Sequence, residues 1–334
     1  MSELNIGAYE GDNSKGVMST YEAFNEIKSR GYNILDFGAI GDGVANDAPA
    51  FQTAIDAIDA LGGGSLYIPN GTYLFTSSLY LGNVNFVGES MGSTIINVLS
   101  TTSFTELGTG SRNDQLCIQT KAEGSAGYGV TEVNFKWSDL TVNYTVTSGT
   151  CDTLFSTKHW VGGGMDNVAI HTVGCTLSNT CHIVDLYEDC RNLVFTNCMF
   201  NNGRSLSENA AEAGGFFVEN SGENITFINC EFHNTTSDET IALWSNETTG
   251  GVCQNISFYN CHIEHNNPSW GVSTAITLRK AAGDDVQLYS TTISGCKIVT
   301  YSQGIRTVDY PVYVSDTEIV MHGGGIGTLS LIHI

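Results

Sequence analysis

From Val133 onward the chain repeats itself, and no other feature restricts its fold as much. The segments VNFKWSDLTV, DNVAIHTVGC, RNLVFTNCMF, ENITFINCEF, QNISFYNCHI and VQLYSTTISGCKI follow one another. Their shared cysteines stand at 198, 230, 261 and 296, with separations of 32, 31 and 35 residues. An internal period of this length means a solenoid, in which each unit buries its apolar face only by stacking on its neighbours. The repeats are short β-branched and aromatic runs between turns, so the solenoid is built of strands and the fold class is all-β.

The repeat also assigns directions to side chains. Within Ile225–Phe232, Ile225, Phe227, Asn229 and Glu231 alternate with Thr226, Ile228, Cys230 and Phe232, and a bend near Asn229 switches the facing. Asn197, Asn229 and Asn260 are expected to stack as a ladder at that bend. Cys198, Cys230 and Cys261 would lie inside it as small, reduced apolar knobs. A second column of strands precedes these: Val184–Tyr187, Phe216–Glu219, Ile241–Trp244, Ile276–Arg279 and Ile305–Val308. Their first and third residues are mostly apolar and should point inward. The second and fourth should point to solvent.

Asn33–Phe75 has a different organisation. Asn33–Phe37 reads as a short strand, Gly38–Asp47 as a Gly/Asp loop, and Pro49–Leu61 as an amphipathic helix with Phe51, Ala54, Ile55 and Ile58 on one face. Asp47 is placed as its N-cap, and Gly62-Gly63-Gly64 ends it. Ser65–Ile68 and Thr72–Phe75 return to strand around the Pro69-Asn70-Gly71 turn. A solenoid has an open apolar end, and a short amphipathic helix laid across the first coil covers it. There is no Walker sequence and no basic residue between Asn33 and Phe75, so the loop is not a phosphate cradle.

The residues Phe37-Gly38-Ala39, Gly41-Asp42-Gly43, Asn46-Asp47, Ala50-Phe51-Gln52, Ala54-Ile55, Gly63-Gly64 and Pro69-Asn70-Gly71-Thr72-Tyr73 occur in an order that resembles the entrance of the pectate-lyase/rhamnogalacturonase superfamily. That resemblance implies a right-handed parallel β-helix with an N-terminal capping helix. Polygalacturonase-like enzymes and phage tail spikes both belong to the superfamily. Val84–Leu99 resembles the next coil. The expected organisation is a lead segment, residues 1–32, with a short helix at Ser19–Arg30, and a single β-helix domain, residues 33–328. Ser100–Gly129 reads as an irregular insertion. The apolar tail Leu329–Ile334 has no polar cap before it, so the C-terminal end is expected to be truncated.

Composition bears on partners. Lys+Arg is 13 against Asp+Glu 35, a formal net charge of −22, which argues against nucleic acid. It also disfavours a polyanionic substrate unless the groove is locally basic or calcium bridges the two. No apolar run reaches the roughly 20 residues of a membrane span. Met1–Lys15 lacks the basic and apolar regions of a secretory signal, which favours a virion surface over signal-directed export as the extracellular setting. Of the ten cysteines none forms a CxxC pair, so no metal site is expected from them.

The second strand column carries the candidate site. Its outward positions read Asp185, Phe217, Ala242, Thr277 and Arg306, and then Tyr187, Glu219, Trp244 and Arg279. Carboxylates, aromatics and arginines on adjacent rungs suit a polysaccharide groove. Asp185 and Glu219 sit one rung and two residues apart, roughly 8 Å between Cα atoms, which suits an inverting glycoside hydrolase. Asp238 and Glu239 follow at the lip, resembling the acidic pairs of polygalacturonase-like members. The Asn-Thr-Asp, Gly-His-Gly and Arg-Ile-Lys set of that group is absent, and Leu278-Arg279-Lys280 echoes only the last. The catalytic candidates are therefore Asp185, Glu219, Asp238 and Glu239, one of them with a raised pKa. Tyr187, Trp244, Arg279 and His182 are the substrate-binding candidates. A hydrolase needs no cofactor. The resemblance also admits a polysaccharide lyase, with Arg279 as base and calcium held by the carboxylates. The competing reading is a non-catalytic glycan-binding or structural β-helix such as a tail-spike segment, with a homotrimer implied.

Overall fold

The computed structural model describes residues 31–100, 116–120, 132–146, 153–173, 182–202, 215–234, 239–245, 253–266, 274–280, 290–301, 303–307 and 312–322. The expected helix at Ser19–Arg30, Asp238 and the C-terminal tail lie outside the described residues. Within them the chain winds as a right-handed parallel β-helix. A full coil has three strands. Cys190–Thr196, Met199–Asn202 and Phe216–Asn220 form one coil, stacked on Gly222–Ile228, Glu231–Asn234 and Ile241–Ser245 of the next. All strand pairs are parallel. The first two columns merge into one long sheet, and the third forms an eight-stranded sheet.

Parallel pairing in register puts equivalent residues one rung apart, so the core is built of columns. Phe195, Phe227 and Phe258 stack with ring centroids 4.8 Å apart at each step, the rung spacing itself. Phe86 on Trp137 (4.8 Å) and Phe135 on Trp160 (4.2 Å) do the same nearer the N-terminus. At the bend, Asp139, Asn167, Asn197, Asn229, Asn260, Gly295 and Asp316 are successive rungs of one column. All of them have positive φ, between 49° and 65°. Asn and Asp tolerate this left-handed turn, and Asn229 Nδ2 donates to Asn197 Oδ1 at 3.3 Å. The ladder expected from three repeats therefore runs through seven.

Cys198, Cys230, Cys261 and Cys296 line the inside of the same bend, buried and free. Each of the last three donates its S–H to a carbonyl one rung below: Cys230 to Phe195 at 3.4 Å, Cys261 to Phe227 at 3.6 Å and Cys296 to Phe258 at 3.5 Å. Hydrogen bonding with the neighbouring thiol, then burial, pushes Cys230 and Cys261 up to about 12, so neither is nucleophilic in the fold. Thiol counting in denaturant without reductant is expected to find Cys198, Cys230 and Cys261 free, while the native protein should resist alkylation there. Disulfide-linked peptides among the three would refute the column.

The N-terminal end differs in detail from the expectation. The helix is Ala48–Asp59, and it buries Phe51, Ala54, Ile55 and Ile58 against the first coils. Asp47 occupies the N-cap position but makes no side-chain cap bond. Its carboxylate accepts from Ile40 N (2.7 Å), Gly41 N (3.3 Å) and Leu74 N (3.3 Å), tying the entrance loop to the second coil. Ile34–Phe37 is a 3₁₀ turn, not a strand, because Asn33 Oδ1 accepts from Leu35 N and starts a turn instead. Asp42–Asn46, expected as loop, pairs as a strand with Gly71–Phe75. Within the supposed irregular insertion, Leu116–Thr120 is a full rung of the eight-stranded sheet.

The second corner holds a buried polar column: Thr172, Asn202, Asn234, His265 and Thr300, each a register partner of the next. Asn234 Nδ2 donates to Glu239 O at 2.9 Å and closes the corner. His265 takes the place of an asparagine one rung on, with Nδ1 3.0 Å from Thr240 Oγ1. Burial holds its pKa down at about 4, with Glu239 opposing weakly. Below pH about 6.5 the unfolded chain gains a proton that the folded one refuses until about pH 4. Stability should therefore fall by about 3 kcal/mol across that window. His265→Asn, the residue native to this column, should remove most of that loss. Urea midpoints at pH 7 and pH 4.5 would show it, and an unchanged acid loss in the variant would place the proton elsewhere.

Candidate functional site

The eight-stranded sheet is where the acids and aromatics meet. Gln119, Ser156, Asp185, Phe217, Ala242, Thr277 and Arg306 are successive register partners on its outer face. Glu219, Trp244 and Arg279 form a second such row. The register read from the repeat is therefore correct, and Asp185 and Glu219 are diagonal neighbours on adjacent strands.

The solvent exposure read from it is not correct. Asp185 and Glu219 are each only 2% exposed, and Phe217, Ala242 and Thr277 are equally closed off. Alternation states which way a side chain leaves the sheet, not whether water reaches it. The His182 ring packs on Phe217 with centroids 3.8 Å apart, so the rung beside Asp185 presents aromatic surface instead of water. His182 lies three residues before Asp185, a separation that strict alternation would put on the opposite face. Glu239 is also buried and not at a lip. Its carbonyl accepts from Asn234 and from Gly215 N (3.0 Å) at the corner next to His265. Trp244, expected to be exposed, is half-buried.

Solvent reaches Tyr187 and Trp244, toward the C-terminal ends of their strands, but not Glu219. Tyr187 is half-buried, two residues beyond Asp185 on the same face. Lys158 Nζ lies 4.7 Å from the centre of its ring and 3.8 Å from Glu188 Oε2. The pairing slips by one residue between Thr157 and Lys158, so that Lys158 partners Glu188 and skips Tyr187. Just beyond, Asp189 bridges His159 (3.4 Å) and Arg191, which also pairs with Glu132. Ser156, Gln119 and Lys158 went unnoticed in sequence. Their strands lie before the repeats that share the cysteine at 198, 230, 261 and 296, although Phe155-Ser156-Thr157-Lys158 matches Val184-Asp185-Leu186-Tyr187 in its in-out alternation. Both amide atoms of Gln119 and the Thr277 hydroxyl are buried without a hydrogen-bond partner among the described residues. The outer row thus keeps unused polar capacity on both sides of Asp185. No three His, Cys, Asp or Glu side chains among the described residues converge as a metal cage would require.

The profile of the family described as rhamnogalacturonase A/epimerase, pectate lyase-like, matches residues 31–282. The chain belongs to that family. Mannuronan C5-epimerase AlgE2 of Azotobacter vinelandii is 38% identical over 135 residues, covering 37% of this chain and 12% of that protein. Alginate lyase 7 of the same organism is 41% identical over 76 residues, covering 20% of this chain and 9% of that protein. The chain thus matches only a small part of either relative's length. Among solved structures, ORF18 of Geobacillus virus E2 superposes with a TM-score of 0.47 at 17% identity, covering 91% of this chain and 63% of that one. The rhamnogalacturonase/epimerase match spans the capping helix and the sheet up to its seventh strand, and so takes in Asp185, Tyr187, Glu219 and Trp244.

Proposed function

We propose that this chain is a polysaccharide-active enzyme that works on a uronate polymer by moving the proton at the sugar carbon next to the carboxylate. The observation that supports this most is the grouping of His182, Asp185 and Tyr187 on one strand, with Glu219 diagonal to Asp185 on the next. Such chemistry needs one group to take the C5 proton and a second to return or donate one, both close to the same sugar ring. Tyr187 meets solvent and so can touch the ring, with Asp185 about 7 Å behind it along the strand. His182, held against Phe217, supplies an imidazole, which can both accept and donate a proton. Once the C5–H bond is broken, the electron pair is delocalised onto the carboxylate. Reprotonation from the opposite face gives the C5 epimer. Expulsion of the O4-linked sugar, which takes up a proton, gives an unsaturated end and a shortened polymer. Trp244 is available to stack on a neighbouring unit.

The named relatives are epimerases and a lyase, which supports proton abstraction ahead of hydrolysis. An inverting hydrolase remains the second reading, favoured by the diagonal placement of Asp185 and Glu219. One experiment separates the three. The purified chain is incubated with oligomers of mannuronic acid and with polygalacturonate, and products are followed by reducing ends, by unsaturated ends, and by exchange of deuterium from solvent into C5. Deuterium entry without new ends means epimerase, unsaturated ends mean lyase, and saturated ends alone mean hydrolase. No product on any uronate polymer would sink the proposal.

A further inference from the structure

The first strand column, Cys190–Thr196, Gly222–Ile228, Cys253–Tyr259, Thr291–Ser294 and Val312–Ser315, turns a separate face to solvent. Two rows of side chains leave it. Val194, Thr226, Ser257, Thr292 and Tyr313 are successive register partners in one, and Thr196, Ile228, Tyr259, Ser294 and Ser315 in the other. None of these is charged at neutral pH, in a chain whose formal net charge is −22. Val194, Tyr259 and Tyr313 are 46%, 39% and 63% exposed. We infer that this face is a second glycan-binding surface, which takes an extended neutral polysaccharide across Tyr259 and Tyr313. It is apart from the acids of the eight-stranded sheet and independent of the reaction assigned to them.

Amide ladders fix the face at both edges. Asn224 Nδ2 donates to Asn192 Oδ1 and Asn255 Nδ2 to Asn224 Oδ1, both at 3.0 Å, and the Asn229–Asn197 bond runs along the other edge. A surface held this way loses little freedom when a ligand settles on it. Its groups are hydroxyls, amides and aromatic rings. A sugar offers C–H groups to an aromatic face and hydroxyls to neutral donors and acceptors. Tyr259 and Tyr313 stand two rungs and two residues apart, roughly 12 Å between Cα atoms, so one extended chain can lie across both. Charge returns at the borders. Arg191 and Glu223 precede the first edge, Asp166, paired with Lys136, adjoins Thr196, and Asp316 follows Ser315. Between them neither a polyanion nor a basic peptide meets a partner charge. A second copy of the chain is disfavoured by size. The strip is about 16 Å from Asn192 to Asn197 and about 19 Å over its rungs, roughly 300 Å², against about 800 Å² per partner in a standard protein interface. Folding does not account for the two rings, because an aromatic side chain contributes to stability by being buried.

The test is binding, which does not depend on turnover. Wild type, Tyr259→Ala, Tyr313→Ala, the double variant and Tyr259→Phe are titrated calorimetrically with cellohexaose and with mannohexaose, after melting curves confirm folding. Wild type should bind at least one of these neutral oligomers. Each alanine should weaken that binding about five- to tenfold, the scale of a lost aromatic contact, and the double variant should abolish it. Tyr259→Phe should keep most of the affinity, since stacking needs the ring and not its hydroxyl. A wild type that binds neither oligomer overturns the inference, as does a double variant that binds as wild type does. Sedimentation that shows wild-type dimers dissolved by Tyr259→Ala would also overturn it, because the face would then be a contact between copies. Neutral binding lost in the double variant, with no product in the assays above, would instead overturn the catalytic reading and leave this one standing.

Discussion

Asp185→Asn is expected to lower kcat on the polymer that proves to be the substrate by about 10²- to 10⁴-fold, the usual range for loss of a positioned acid or base. The substitution keeps volume and hydrogen-bonding shape, so the protein should remain folded. A fall in turnover with a steady Tm is thus the signature sought. Glu219→Gln, equally buried on the diagonal rung, tests whether the two act as a pair: in a hydrolase both should fall into the same range. In the proton-transfer reading Tyr187→Phe should join Asp185→Asn, and Glu219→Gln should be milder. Wild-type turnover in Asp185→Asn would remove Asp185 from the chemistry altogether.

Phe51→Ala is expected to cost about 3–5 kcal/mol of stability. The ring is completely buried under the capping helix. It meets Tyr73, Phe75 and Phe86 edge-on, with centroids at 5.5, 4.8 and 5.7 Å. These belong to the strands just inside the end of the coil, so truncating Phe51 leaves a cavity where the solenoid would otherwise meet water. The loss should appear as a lower urea midpoint, and Phe51→Leu should recover a good part of it. Because a frayed end also exposes strand edges, Phe51→Ala should aggregate more readily on heating. A loss below about 1 kcal/mol would mean that the end is closed by something other than this helix.

Much of this architecture was legible in the repeat. A stacked fold forces equivalent residues into columns, so the Asn197–Asn229–Asn260 turn, the buried thiols and the register of Asp185, Phe217 and Ala242 all followed from spacing alone. The capping helix was legible for a different reason. Its apolar face has no purpose unless it closes an apolar end, and Phe51, Ala54, Ile55 and Ile58 do so. The site was only half legible. Lys158 stood on a rung whose sequence resembles the repeats too weakly to be aligned, and a one-residue slip in pairing placed it. His182 stood at the wrong parity for the face it serves.

The sequence by itself determined the β-helix, its cap, its in-register columns and the set of residues leaving one face of one sheet, because each of these follows from period and alternation along the chain. Only the tertiary structure decided that Asp185, Glu219 and Glu239 are withdrawn from water while Tyr187, Trp244 and Lys158 remain within reach of it. Burial is set by groups packed around a position from distant parts of the chain, such as the His182 ring on Phe217, and no local pattern encodes that.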